Sequence, residues 1–231
     1  MARGALALHA LRMTTRVLLV RHGETTLSAE DRFAGSTDVE LSEEGRRQAR
    51  CLAERLATEQ LDAIYASPLG RTRQTAEILA APHALSPLPH ASLREIDHGR
   101  WEQLTRAEVS ASFGDEYTMW EDDPFTFAPE GGESGLSVMA RALPALREIV
   151  FAHAGGTVLV VSHKATIRLL LCSVLGIDAR GYRDRLDQSP ACLNVVDFKD
   201  ATHARLMLYN DTSHYAPRPR RGSAQLSPWW A

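Results

Sequence analysis

The chain has 231 residues, with 26 Lys and Arg against 29 Asp and Glu, and a formal net charge of −3. At roughly 150 residues per domain this length suits one large domain or two small ones, and the balanced charge argues against a dedicated nucleic-acid binder. No stretch approaches the roughly 20 apolar residues of a membrane-spanning helix. The cysteines Cys51, Cys172 and Cys192 stand far apart and are odd in number. They argue against a disulfide framework or a zinc site and predict free thiols in a cytoplasmic protein.

The first half of the chain alternates strand and helix patterns. Residues 17–20 form a short apolar run typical of a strand buried on both faces, and a polar loop follows through Thr37. Ser42 then offers an N-cap to an amphipathic helix whose first turn is acidic. A second strand is predicted at 62–66. Pro68 is predicted to occupy the first position of the next helix, where proline is favoured.

The second half continues the alternation. It is predicted to contain, in order, a loop or edge strand at 82–90, helical segments at 106–113 and 116–121, and a long helix from Ser134. A third buried strand at 158–161, an apolar helix around Ile167 and a strand pair at 193–198 and 204–209 complete the pattern. Pro144 lies inside the long helix, so that helix is expected to kink or to start late.

This order of elements predicts one α/β domain at residues 14–215. The expected architecture is a three-layer α/β/α sandwich around a mostly parallel sheet. Residues 1–13 are predicted to be an extension that is either disordered or upstream of the true start. Residues 216–231, rich in Pro, Arg and Ser, are predicted to be a disordered tail.

Basic and imidazole side chains follow the three buried strands. Arg21 and His22 end the first strand, Arg71 lies just past the second, and His163 follows the third. Ligands of parallel α/β sheets bind beyond the carboxyl ends of the strands, so these groups are expected to converge. Guanidinium groups grip phosphate in bidentate fashion, and an imidazole can attack phosphorus. Such a cationic site would repel metal ions, so neither a metal nor another cofactor is expected.

The motif at residues 21–25, Arg-His-Gly-Glu-Thr, resembles the signature of the histidine phosphatase superfamily, the phosphoglycerate mutase-like proteins. The resemblance extends over roughly residues 16–210. Further blocks follow in order at 67–76, 93–95, 131–134 and 161–163. Together these blocks are a much more specific signal than the first motif alone.

The resemblance implies a role for each motif residue. His22 is similar to the nucleophile that becomes phosphohistidine, and Arg21 and Arg71 resemble the phosphate clamp. His163 would complete the phosphate pocket. Glu95 resembles the general acid that later becomes the base activating water.

The acid is the least certain of these assignments from the residues alone. Glu102, Asp97 and Glu133 are rivals for it. For Glu95, an apolar neighbour such as Trp101 would help the carboxyl keep its proton.

The resemblance also implies secondary contacts to phosphate or substrate at Thr25, Ser28, Gly35 and Lys164. Two positions depart from the family pattern. Ser28 stands where the family often has Asn, and Lys164-Ala165 stands where it often has Gly-Gly. The Lys164 side chain either blocks a close backbone approach or adds a charge toward an anionic substrate.

The resemblance leaves three functions open. A metal-independent phosphatase acting on a small phosphorylated metabolite is favoured. The segment between Glu95 and His163 is short for a mutase, and residues 115–134 are acidic without Lys or Arg. Phosphoglycerate mutase-type transfer and a non-catalytic phospho-ligand binder are the alternatives. No nucleic-acid or membrane partner is expected, and a homodimer is left open.

Overall fold

The computed structural model describes residues 14–216. The predicted N-terminal extension and nearly all of the predicted tail lie outside the described residues, so the domain boundaries stay a prediction. Within the described range, no helix is both long and apolar enough to cross a membrane.

Strands and helices alternate along the chain as the sequence pattern predicts. In chain order they are β1 (Thr15–Arg21), α1 (Thr26–Ala29), α2 (Glu43–Leu56), β2 (Ala63–Ala66), α3 (Gly70–Ala80), β3 (Leu88–Pro89), α4 (Arg106–Ser112), α5 (Gly114–Asp122), α6 (Gly135–Ala152), β4 (Thr157–Ser162), α7 (Lys164–Leu175), α8 (Tyr182–Arg185), β5 (Leu193–Phe198) and β6 (Ala204–Asp211). Single 3₁₀ turns lie at Ala81–His83, Ala91–Leu93, Gly99–Trp101 and Ala179–Gly181.

The strands form one six-stranded sheet in the order β3-β2-β4-β1-β5-β6. The first four in that order run parallel, whereas β5 and β6 add an antiparallel edge. Arg21 pairs with Ser162 and Ala66 pairs with Val161, so β1, β4 and β2 end at the same edge. This register confirms the mostly parallel sheet and brings the three predicted strand ends side by side.

Alternate residues of the sheet enter two separate cores. Leu19 and Val160 pack on one face with α6 and α7, while Leu18 and Val161 pack on the other with α2 and α3. Side chains on a strand alternate between faces, so a strand buried on both sides must be apolar throughout. The α/β/α sandwich is therefore confirmed.

One prediction about a helix start is wrong. The helix α3 begins at Gly70, not at Pro68, because the Gly70 amide donates to the Asp38 carboxylate at 2.6 Å. The long helix α6 starts at Gly135, directly after its cap Ser134 as predicted, and continues through Pro144. Of the two alternatives predicted for Pro144, a kink or a late start, the late start does not occur. The loop predicted after β1 also contains a single turn of helix, α1.

Candidate active site

His22 follows β1 at the shared sheet edge and is only 5% exposed. Its Nδ1 lies 2.7 Å from the carbonyl oxygen of Gly23. A carbonyl only accepts hydrogen bonds, so Nδ1 carries the hydrogen and Nε2 carries the lone pair. Burial, followed by the charges of Arg71 and Arg21, holds the pKa of His22 well below 6.5. The imidazole is therefore neutral at neutral pH.

His163 follows β4 and is fully buried. Its ring meets the His22 ring edge-on, with 5.2 Å between the ring centroids. The Nε2 atom lies 2.7 Å from the Ser67 hydroxyl, and the buried Nδ1 has no hydrogen-bond partner among the described residues. Burial and then the charge of Arg71 hold the pKa of His163 well below 6.5.

The two predicted clamp arginines are buried and anchored by backbone carbonyls. Arg71, 1% exposed, donates to the carbonyls of Gly35 and Thr37 at 2.7 and 2.8 Å. Arg21 donates to the Gln188 carbonyl at 2.6 Å. In each guanidinium the Nε–H is buried without a partner among the described residues. Such unsatisfied cationic donors indicate a place for an anion.

Glu95 lines the same cavity, and its carboxyl group lies beside the first turn of α7. The carboxyl oxygens accept from the amides of Ile96, Ala165 and Thr166 at 3.0, 3.1 and 3.2 Å. These three bonds fix the position of the carboxyl group. Trp101, the apolar neighbour expected from the sequence, packs in an aromatic cluster with Phe33 and Trp120.

The three rivals of Glu95 are engaged elsewhere. Glu102 bonds the loop at Ser36 and Thr37, Glu133 pairs with Arg141 at 2.7 Å, and Asp97 accepts from the Gly99 amide at 2.8 Å. Of these four acids, only Glu95 lines the cavity.

The cavity has a volume of about 960 Å³, ample for a small metabolite. Eight of the nine predicted site residues line it: Arg21, His22, Thr25, Ser28, Gly35, Arg71, Glu95 and Lys164. The ninth, His163, is not among the lining residues, and its ring contacts the ring of His22.

Three of the predicted substrate contacts have evident local roles. Thr25 and Ser28 form the capping box of α1, with each side chain bonded to the other's amide at 2.9 and 3.1 Å. Gly35 has a φ of +46°, and a Cβ there would lie 2.1 Å from the Glu102 carboxylate. Its carbonyl anchors Arg71. Direct substrate contact by these residues stays a prediction.

Lys164 is the first residue of α7, with its Nζ 3.9 Å from Oδ1 of Asp187. Burial, reinforced by Arg168 and Arg21, lowers the pKa of Lys164 to about 7. Arg168 and Asp187 line the same cavity and were not predicted from the sequence. The spacing of four residues between Lys164 and Arg168 was a usable signal, since it places both on one helix face.

Some acids of the acidic segment at residues 115–134 pair with arginines from elsewhere in the chain. Glu121 pairs with Arg183 at 2.9 Å, and Glu116 pairs with Arg100. Trp120 packs in the aromatic cluster and also lines the cavity. These two ion pairs offset part of the negative charge that the sequence shows in this segment.

No cluster of three or more His, Cys, Asp or Glu side chains within residues 14–216 is placed to hold a metal ion. Metal independence stays a prediction that solution measurements must test.

The chain is similar to known proteins along nearly all of the described residues. The model of the histidine phosphatase superfamily (branch 1) matches residues 17–212. The chain is 38% identical over 163 residues to "Phosphoserine phosphatase 1" of Hydrogenobacter thermophilus, covering 71% of this chain and 77% of that protein. It is 34% identical to a "Probable 2-carboxy-D-arabinitol-1-phosphatase" of Arabidopsis thaliana over 80% of this chain, but spans only 38% of that longer protein.

A "Probable phosphoglycerate mutase" of Klebsiella pneumoniae is 36% identical, covering 80% of this chain and 86% of the relative. Among solved structures, YhfR of Bacillus stearothermophilus superposes with a TM-score of 0.81 at 32% identity. That match covers 87% of this chain and 98% of YhfR.

Proposed function

The chain belongs to the histidine phosphatase superfamily and is a phosphoric monoester hydrolase, and we propose that it releases phosphate from a small metabolite through a phosphohistidine on His22. One observation carries the proposal. A neutral His22, with Nδ1 bonded to a carbonyl, stands beside two buried arginines whose Nε–H groups lack partners among the described residues.

In the first step, Nε2 of His22 attacks phosphorus with its lone pair, and the bond from phosphorus to the ester oxygen breaks. Arg21 and Arg71 hold the phosphoryl oxygens as negative charge is redistributed. Their carbonyl anchors fix both guanidiniums before substrate arrives, so little reorganisation is needed. The Gly23 carbonyl stabilises the positive charge that forms on the imidazole.

Glu95 supplies the proton that the departing oxygen needs. It lines the same cavity as His22 and is held there by the Ala165 amide in the first turn of α7. The resulting carboxylate, held by the Ala165 and Thr166 amides, then removes a proton from water. That water attacks the phosphohistidine, the nitrogen–phosphorus bond breaks, and His22 and protonated Glu95 are regenerated.

His163 acts as a donor to the phosphoryl group. The Ser67 hydroxyl lies 2.7 Å from Nε2 of His163, and either group can be the donor. When Ser67 donates, the hydrogen of His163 is on Nδ1, the atom without a partner among the described residues. A neutral imidazole in this tautomer donates to a phosphoryl oxygen without adding a charge to the site.

Phosphate release tests the proposal directly. The unaltered chain and His22→Ala are assayed with p-nitrophenyl phosphate and a panel of phosphorylated metabolites in excess EDTA. Release that survives EDTA and disappears in His22→Ala is the expected result. Transfer of phosphate between positions of 3-phosphoglycerate, without net release, would indicate mutase chemistry instead.

The free thiols Cys51, Cys172 and Cys192 support the further proposal that the protein works in the cytoplasm, where thiols stay reduced. Homodimer formation stays a prediction that size-exclusion chromatography with light scattering would test.

A further inference from the structure

A pair of cations on α7 lies in the cavity beside the proposed phosphate pocket. Lys164 and Arg168 are four residues apart, and both contact the same oxygen of Asp187, at 3.9 and 3.0 Å. Arg168 is 7% exposed, and its buried Nε–H has no partner among the described residues. Burying a guanidinium with unfilled donor capacity is costly, which indicates that another anion belongs there.

The position of this pair relative to Glu95 tells which part of a substrate would meet it. The Glu95 carboxylate bonds the amides of Ala165 and Thr166, which lie on the helical turn between the two cations. At a rise of 1.5 Å per residue, Lys164 and Arg168 span about 6 Å of helix. The pair and Glu95 therefore line the same cavity beside the first turns of α7, where the leaving group of a substrate protonated by Glu95 would lie.

The charge of the cluster is incompletely balanced. When Lys164 is protonated, at pH values below its pKa of about 7, two cations share one carboxylate, and Arg21 adds further positive charge near Lys164. The Asp187 side chain is 57% exposed, whereas its backbone is fixed because the Tyr209 hydroxyl donates to its carbonyl. The Asp187 carboxylate can thus turn toward solvent without moving the chain.

We propose that Lys164 and Arg168 form a second anion site that binds a carboxylate of the substrate, and that Asp187 is the resident counterion this carboxylate displaces. Exchange of one carboxylate for another keeps the charge of the cluster unchanged, which favours a carboxylate over a doubly charged phosphate. The inference rests on the proposed phosphatase function and narrows its substrates to phosphomonoesters that carry a carboxylate near the ester oxygen.

A matched pair of substrates isolates the carboxylate. 3-Phosphoglycerate and glycerol 3-phosphate differ only in that a carboxylate replaces a hydroxymethyl group. Their kcat/KM values are measured with the full chain, with Lys164→Gln and with Asp187→Asn. A charge-assisted bond predicts a preference for 3-phosphoglycerate of about tenfold or more, most of it lost in Lys164→Gln. Asp187→Asn should increase the preference, because the competing carboxylate is gone.

The exposed Lys199, on the turn between β5 and β6, provides the control. Lys199→Gln removes the same charge far from the cavity and should leave the preference unchanged. Equal kcat/KM values for the two substrates, or a preference that survives Lys164→Gln, would overturn the second anion site while leaving the phosphatase proposal standing.

Binding to His22→Ala, measured by calorimetry, separates the two proposals. If 3-phosphoglycerate binds more tightly than glycerol 3-phosphate and the difference requires Lys164, the anion site is supported. This conclusion holds even if the unaltered chain releases no phosphate from any ester. Such a lack of phosphate release would refute only the phosphatase function. Equal binding of both compounds would refute the anion site.

Discussion

Gly45 offers a sharp test of how the fold holds the catalytic loop. It is the third residue of α2, and its missing side chain faces the loop that carries His22. A Cβ at Gly45 would lie 2.1 Å from the carbonyl oxygen and 2.7 Å from the amide nitrogen of Glu24. That carbonyl also accepts from the Ser42 amide at 2.9 Å, so the loop is bonded to the start of the same helix.

Two opposing effects decide the outcome of Gly45→Ala. Alanine is a better helix residue than glycine by about 1 kcal/mol, so the change alone would stabilise α2. The steric conflict is with backbone, which forces the loop to retreat by about 1 Å, and overpacking of this kind costs about 1–3 kcal/mol. We expect a net loss near 1 kcal/mol, or a Tm lower by about 2–4 °C. Because catalysis depends on placement at this scale, kcat should fall by about 10²-fold.

Gly114→Ala is the matched control. Gly114 is the first residue of α5, and a Cβ there meets nothing within 4 Å. This variant should keep its kcat and gain up to about 1 kcal/mol in its free energy of unfolding. The assay is steady-state phosphate release, with thermal unfolding followed by circular dichroism. A Gly45→Ala protein with unchanged kcat and a raised Tm would refute the steric reasoning.

Three further predictions concern His163, His22 and His98, the last of which also lines the cavity. Ser67→Ala removes the partner of His163 Nε2, so kcat/KM should fall about tenfold, whereas Ser67→Thr, which keeps the hydroxyl, should retain most of the activity. Because the pKa of His22 is depressed, the rate of the burst phase with p-nitrophenyl phosphate should stay constant as pH falls through 6.5 and should decline only well below that pH. A decline centred on pH 6.5 would contradict the buried neutral imidazole. Burial lowers the pKa of His98 to about 4, so this residue binds more protons in the unfolded state between pH 6.5 and 4. As pH falls through that range, His98 alone should reduce the free energy of unfolding by about 1.4 kcal/mol per pH unit, in addition to what the other buried histidines contribute. His98→Phe, which preserves the ring contact with Phe33, should flatten that part of the Tm profile, and an equally steep profile would count against the assignment.

The sheet and its strand ends were predictable because their signals are local. A strand buried on both faces must be apolar in its central residues, and β1 and β4 have such apolar runs. Arg21 and His22 end the first run, and His163 follows the second. The cap at Ser42 is equally local, since its hydroxyl accepts from the Gly45 amide at 3.0 Å within one turn.

The remaining features depend on contacts between distant parts of the chain. The start of α3 is set by Asp38, 32 residues before Gly70. Glu95 is held by amides 70 and 71 residues away, which no pattern around Glu95 reveals. The ion-pair partner of Glu121 was not predictable for the same reason, because Arg183 lies 62 residues further along the chain.

Trapping the phosphorylated enzyme tests the central claim most directly. The full chain in excess EDTA is mixed with p-nitrophenyl phosphate, quenched in alkali within the burst phase, and digested for mass spectrometry. The account predicts one phosphoryl group on the peptide containing His22, absent from His22→Ala, which also fails to release phosphate. Full-rate phosphate release by His22→Ala, or a phosphoryl group on any other residue, would contradict it.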